Sequence, residues 1–500
     1  MRTALSRLLC ALALTLAVCA PVRAQDRVII AGGADAVGMN GIDVIVLTPD
    51  RFLMDHIGDT LFRWEKPGKL GPGLALTWKN IDTLTWEVTL RKGVTFHNGE
   101  PFNASVVKFS YDTLLDPAVK TPSKSNHTFI KKVEVVDDYT VRFTTNEPFP
   151  TTPAQLTFLH MLPPKYVTEV GVDGYRRRPI GTGPYRFVEH IPDTRIVLEH
   201  VEGNWHGPQR FKTIIYRPIK EDATRVSALL AGEIDLALDI PPELIPVVTA
   251  RGRAKIKTVS SARVFVMGMS NLDSSLPTAK AKVREAINYA IDRESLNKTL
   301  YAGTSPPAAW MNPDTFGANP ALKPIPHDPQ RARRLLAEAG YPNGFDVVLA
   351  SPDGRYLKDR ELSEAMAGQL SRAGIRTTVK FYEWGLHTRR IFSHQTDPLV
   401  LYGWGDSKGD PESHNRFVIK SGGSWSQFSD AKLDALINAI DTEMDQDKRK
   451  KLIYDLQDYQ REIFPVAYIL QMGMIHATSP KLDWWEPRAD EKVWMFQPAP

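Results

Sequence analysis

Between residues 328 and 411 the chain switches repeatedly between helical and strand periodicity, and this alternation constrains the fold more than any other stretch. Asp328 and Pro329 cap and open a helix, Leu335 and Leu336 give it an apolar side, and Gly340 ends it. Leu362, Met366 and Leu370 recur at helical spacing before a second stop at Gly374. Short apolar or β-branched runs follow each stop, at residues 347–350 and 377–381. Strands separated by single helices pair in parallel, so the segment predicts an α/β sheet. Residues 400–411 continue it.

That last stretch runs from apolar residues into a turn of small residues carrying Trp404, Asp406, Lys408 and Asp410. A strand that delivers an aromatic ring and several charges into a loop builds a ligand floor, and a plain strand end on a core sheet has the same pattern. The twelve residues alone leave both readings open.

The chain of 500 residues exceeds what one core serves, so two or three domains are expected. Residues 1–24 stand apart from them. Arg2 and Arg7 precede an apolar run over residues 8–19, and Val22, Arg23 and Ala24 suit a signal peptidase, so the segment reads as an export signal. The run is too short for the roughly 20 residues that span a bilayer. Cys10 and Cys19 both lie in the signal, which leaves the mature chain without a disulfide, thiolate nucleophile or thiolate metal ligand. Val18, where a lipoprotein box carries a small residue, argues for a freely soluble product. Loss of Arg2, Arg7 and Arg23 lowers the formal charge from +4 to +1, so the charge gives no support to nucleic-acid binding.

Earlier segments follow similar grammar. Residues 27–31 read as a strand before the turn at Gly32 and Gly33, residues 55–64 as a short amphipathic helix, and residues 67–73 as irregular. Trp86, Val88 and Leu90 alternate with Thr85, Glu87 and Thr89 as a half-buried strand, and Val94 and Phe96 continue the alternation. Asn103 caps a helix through Val106, Val107, Ser110 and Leu114, and residues 133–136 and 139–144 form a hairpin. After the turn at Gly181 and Gly183, Asp222 caps a helix ending at Gly232, with a strand at 234–238 beyond it. Helices are also expected through Val283, Ala286 and Ile287, over residues 433–444 and over 452–463, with a strand at 468–475. His97 has no partner at ligand spacing, and no nucleophile elbow or zinc-protease motif occurs. Paired carboxylates such as Asp406 and Asp410 leave acid–base chemistry possible in principle, without a separation that the sequence fixes.

Four stretches carry a family resemblance: residues 85–102 (TWEVTLRKGVTFHNGEPF), 181–185 (GTGPY), 283–292 (VREAINYAID) and 337–341 (AEAGY). With the export signal they resemble the extracytoplasmic solute-binding proteins of peptide and nickel ABC importers, and they are spread along nearly the whole mature chain. The resemblance implies a three-lobed, cluster C, type II periplasmic-binding fold. Its two main α/β lobes would comprise residues 25–63, 181–266 and 470–500 on one side and 267–469 on the other. Residues 64–180 would form an extra lobe, and the chain would cross between the main lobes near 264–270 and 467–472.

For function, the resemblance implies a periplasmic, non-catalytic and monomeric receptor without a cofactor, which passes a short peptide or modified amino compound to importer permeases. Opines, oligosaccharides and chelated metals are alternative cargoes within the class, and a secreted peptide or glycoside hydrolase is the alternative outside it. Peptide binders of the family hold the ligand amine with an aspartate in a Gly-Trp-x-x-Asp loop. Here the loop reads Gly403, Trp404, Gly405, Asp406, Ser407, so the aspartate comes one residue early and Ser407 occupies its place. Arg355, before Tyr356, resembles in position the arginine that receives a dipeptide's carboxylate. Met39, Asn40, Phe265 and Trp310 complete the candidate cleft wall, with core packing as the competing reading for each.

Overall fold

The computed structural model of the chain describes residues 25–36, 41–42, 48–66, 68–250, 252–405 and 408–496. Ten strands share one sheet, in the order Ile375–Tyr382, Phe345–Pro352, Leu399–Gly405, Lys255–Met269, Val466–Thr478, Leu236–Ala237, Gln25–Gly32, Phe211–Pro218, Arg195–His200 and Tyr185–Ile191. As the helix–strand alternation requires, Phe345–Pro352 runs parallel to both Ile375–Tyr382 and Leu399–Gly405. On the far side, Gln25–Gly32 runs parallel to Phe211–Pro218 and to Leu236–Ala237.

Two long antiparallel strands, Lys255–Met269 and Val466–Thr478, join these halves. Their pairing is continuous from Lys255 to Ser260 and then slips before Val264 and again before Val266. Such bulges bend a strand and raise its twist, so one pair of strands can serve two cores. Before the slip, Ile475 and Ala477 pack with Val226, Leu229 and Val248. Beyond it, Phe265, Met267 and Ile469 pack with Ile287, Leu336 and Leu362 on one face, while Val264, Val266 and Tyr468 pack with Ile437 and Ile453 on the other. Each of these large apolar side chains gains about 1.5–3 kcal/mol by leaving water.

A separate four-stranded antiparallel sheet, in the order Ala75–Asp82, Thr85–Leu90, Thr140–Thr145, Ile130–Asp137, carries the helix Ala104–Leu115 on one face. Trp86, Val88 and Leu90 bury their side chains there, as the period-two pattern predicts. The Asn103 side chain accepts from the backbone N–H of Ser105 and Val106, which confirms it as the cap.

Some local expectations fail. Residues 55–64 are not one helix: the helix is Thr48–Ile57, and Phe62–Lys66 pairs with Lys69–Pro72 as a hairpin. Gly58 closes the helix through its N–H to Met54 O, and Phe62 and Trp64 are then buried at strand spacing. Asp222 is the first helical residue rather than the cap, and its carboxylate accepts from Arg225 Nη2 at 2.6 Å. The strand expected over 234–238 keeps only Leu236 and Ala237 in the ladder. The helix Trp384–Phe392, started by Glu383 accepting from Gly385 N and Leu386 N, was not anticipated.

Candidate functional site

Where the two long strands slip, the halves of the sheet enclose a cavity of about 710 Å³. One wall contains Gly33, Tyr216, Leu238 and Ile240, and the other contains Tyr301 and the loop from Gly354 to Lys358. Arg263, Phe265 and Met472 reach it from the crossing strands, and Glu491 from the C-terminal segment.

The Gly354–Tyr356 loop is shaped by one carboxylate. Asp359, at the start of the helix Asp359–Arg372, is 2 % exposed and accepts from Gly354 N at 3.1 Å, Arg355 N at 2.7 Å and Tyr356 N at 2.9 Å. Three converging N–H groups satisfy a buried carboxylate and fix the backbone. The Tyr356 hydroxyl donates to Gly403 O at 3.3 Å, and its ring meets Phe265 and Trp384 edge to face, each at 5.7 Å. Burial raises the Tyr356 pKa, so the phenol stays neutral.

The Arg355 guanidinium lies 5.1 Å from the Tyr356 ring centroid and 5.2 Å from that of Trp384. Two aromatic faces hold it in place. Among the described residues it is in no ion pair. Arg263, in contrast, is already neutralised: Nε and Nη2 each lie 3.2 Å from a different Glu491 oxygen. The Glu491 charge holds the Arg263 pKa above its ordinary value. Burial pushes the Glu491 carboxyl up, and Arg263 outweighs it and keeps the group ionised. Glu491 adopts a left-handed backbone (φ 61°), an uncommon conformation for a non-glycine residue. Of the two arginines beside Tyr356, Arg263 is therefore paired and Arg355 is not, among the described residues. A guanidinium held in this way can grip an anionic group.

A family model described as bacterial extracellular solute-binding proteins, family 5 (middle), matches residues 69–425. The chain belongs to that family. The glutathione-binding protein GsiB of Pectobacterium atrosepticum is 31 % identical over 439 residues, 84 % of each chain. Heme-binding protein A of Haemophilus influenzae is 28 % identical over 436 residues, covering 79 % of this chain and 78 % of that protein. The solved structure of the ABC transporter substrate-binding protein CtaP of Listeria monocytogenes matches with a TM-score of 0.85 at 21 % identity, over 95 % of this chain and 98 % of that one. The α/β, three-lobed type II binding fold is thus shared. As a family 5 solute-binding protein, the chain is a receptor that captures its substrate between lobes. Among the described residues no helix is long and apolar enough to cross a membrane.

Of the residues singled out in the sequence of this solute-binding protein, the structure brings Arg355, Tyr356 and Phe265 together in the cleft. Gly405 borders it: a Cβ there would sit 3.3 Å from Arg263 Nη2. Trp404 and Trp310 do not line this cavity. Trp404 is paired with Val264 while Gly403 is paired with Phe265, so the indole points to the other face of the strand and meets Trp425 at 5.9 Å and His414 at 6.3 Å. Trp310 is 3 % exposed, inside the core of the same lobe. Met39, Asn40, Asp406 and Ser407 lie outside the described residues. His97 bonds Gly183 O at 2.9 Å.

Sequence reasoning missed Arg263, Glu491, Asp359 and Trp384. Arg263 had a signal, a charge at the entrance to an otherwise apolar strand, and Asp359 had another, an acid in the first turn of a periodic helix. Glu491 had none, because its partner is 228 residues away.

Proposed function

We propose that the protein captures a short peptide or modified amino compound with a free carboxylate, encloses it between its lobes, and presents the closed form to the membrane subunits of an ABC importer. The observation that carries this reading is Arg355, a cation fixed between two rings, in the cavity and without an acidic partner among the described residues. A carboxylate would accept two parallel hydrogen bonds from it, and a neutral ligand would leave a partly desolvated charge uncompensated. The cavity of about 710 Å³ suits a small solute. The likeness to a glutathione-binding protein supports a peptide ligand with carboxylates.

Asp406 is the assigned partner of the ligand amine, with Ser407 as the alternative. The lobes are assigned as residues 25–63, 181–266 and 470–500, then 64–180, then 267–469. The register slip after Ser260, opposite Gly473, supports a hinge there. The first 24 residues serve as an export signal, which places the mature receptor in the periplasm of a Gram-negative cell.

Native mass spectrometry of the exported protein, followed by calorimetry with a candidate peptide and its C-terminal amide, tests the reading. Stoichiometric retention of unchanged peptide and loss of binding by the amide are expected. Equal affinity for the amide removes Arg355 from the site, and turnover of the peptide places the protein among hydrolases.

A further inference from the structure

A second cavity, of about 20 Å³, lies inside the lobe that carries Arg355 and is lined by Asn288, Arg293, Trp310, Gln460, Arg461 and Tyr468 among others. Its size suits one small ion or one water. Two guanidiniums reach it, and both are bonded only to neutral oxygens. Arg293 Nε donates to Tyr468 O at 2.7 Å, Nη1 to Asn288 O at 3.0 Å and Nη2 to Asn288 Oδ1 at 2.9 Å. Arg461 Nη2 donates to Ala309 O at 2.9 Å and Lys323 O at 2.6 Å. Among the described residues neither guanidinium is in an ion pair. Burial, and then the charge of Arg461, lower the Arg293 pKa to about 9.

Two donors remain unused. Trp310 Nε1 and Gln460 Nε2 are buried without an accepting partner, in side chains of residues 3 % and 5 % exposed. Trp310 approaches the Tyr468 hydroxyl without meeting the geometry of a hydrogen bond. That hydroxyl donates to Gln460 Oε1 at 2.9 Å, which leaves the amide N–H₂ as the free end. Two like charges and two orphaned donors around one small void lack a negative partner. A water would accept from the donors and would also bring two hydrogens of its own, which would have to find second lone pairs on the Tyr468, Asn288 and Ala309 carbonyls that already accept from the guanidiniums. An anion only accepts.

We propose that this cavity binds a small monovalent anion of chloride size, held by the Trp310 and Gln460 N–H groups between the Arg293 and Arg461 guanidiniums. Tyr468 belongs to a strand that crosses between the lobes, so the anion braces the root of that strand.

The test uses the mature chain purified in gluconate. Crystals soaked in bromide should show an anomalous peak in contact with Trp310 Nε1 and Gln460 Nε2. At constant ionic strength, replacing gluconate by chloride or bromide should raise Tm in a saturating manner, by about 1–2 °C once the halide exceeds its Kd roughly tenfold. In Gln460→Glu, whose carboxylate supplies the missing charge, that increment should vanish. An ordered water without a bromide peak, equal Tm in the two salts, or an increment that survives Gln460→Glu overturns the proposal. Should the variant not fold, the bromide map of the unaltered protein decides alone.

Discussion

Lys358 Nζ, on the cleft wall that carries Arg355, lies 3.0 Å from Glu243 Oε1, which stands just outside the lining of the facing wall. Lys358 holds a left-handed backbone (φ 60°) at the start of the helix Asp359–Arg372, and Glu243 follows Ile240 on the facing lobe. The hydrogen bond to Glu243 raises the lysine pKa, while burial raises and the Lys358 contact lowers that of the glutamate, with a net lowering. Both shifts describe one ion pair that bridges the two sides of the cleft. With Glu243 56 % exposed at its side chain, solvent screens the pair to about 0.2–1 kcal/mol. Glu243→Gln should therefore weaken ligand binding by about 1.5- to 5-fold at roughly 20 mM salt and leave it unchanged at roughly 500 mM. Titration calorimetry at the two salt concentrations measures this. Identical affinity for both proteins at low salt would show that the pair does not couple to closure.

Arg355 makes a sharper prediction. Removing a guanidinium that grips a desolvated carboxylate costs about 2–5 kcal/mol, so Arg355→Ala should lose roughly 30-fold or more in affinity for a carboxylate-bearing ligand. Arg355→Lys keeps the charge without the two-pronged geometry and the stacking on Tyr356 and Trp384, and should recover only part of the loss. Full recovery by lysine would mean that net charge alone matters at this position.

The sheet wiring was legible because it is written in local grammar. Asp328 accepting from Arg331 N, Gly232 in a left-handed cap and Asn103 at its helix start each act within a few residues. Of the cleft, Arg355 and Tyr356, which precede a clear helix, and Phe265, within an apolar strand, could be read. Glu491 reaching Arg263 and Lys492 reaching Asp55 are pairings between distant segments, and no local pattern encodes them. The helix misplaced at residues 55–64 illustrates the reverse problem. Its apolar residues suit two periods, and pairing with Lys69–Pro72 chose the strand for Phe62–Lys66.

Gly403 links the strand to the cleft in a way that sequence alone disguises. A Cβ at this position would sit 2.4 Å from Met472 Cε and 2.9 Å from Tyr356 Cε1. Gly403→Ala should therefore push Tyr356 away from Phe265 and shift the Arg355 loop, destabilising the lobe by about 1–3 kcal/mol and lowering ligand affinity more than it lowers Tm. Denaturant titration and calorimetry on the same preparation separate the two effects. A normal affinity in the alanine variant would show that the loop position does not depend on this packing.

Asp441 is a half-buried acid outside the lining of the ligand cleft. Burial and the neighbouring Glu412 charge raise the Asp441 carboxyl from 3.8 to about 7. Its Oδ1 has no hydrogen-bond partner, while Asp410 next to Glu412 is clasped by Arg449 at 2.6 and 2.7 Å. The unfolded chain gives up the Asp441 proton near pH 4 and the folded chain keeps it to near 7. Folding therefore holds more protons across that window, and this group subtracts stability as pH rises through it, by at most about 1.4 kcal/mol per pH unit. Asp441→Asn removes the proton exchange. Relative to the unaltered protein its Tm should be similar near pH 4 and progressively higher toward pH 8, with the difference levelling off above about 7. Melting curves at half-unit pH steps in a common buffer test this. A difference that stays constant from pH 4 to 8 would mean that Asp441 titrates as an ordinary carboxylate.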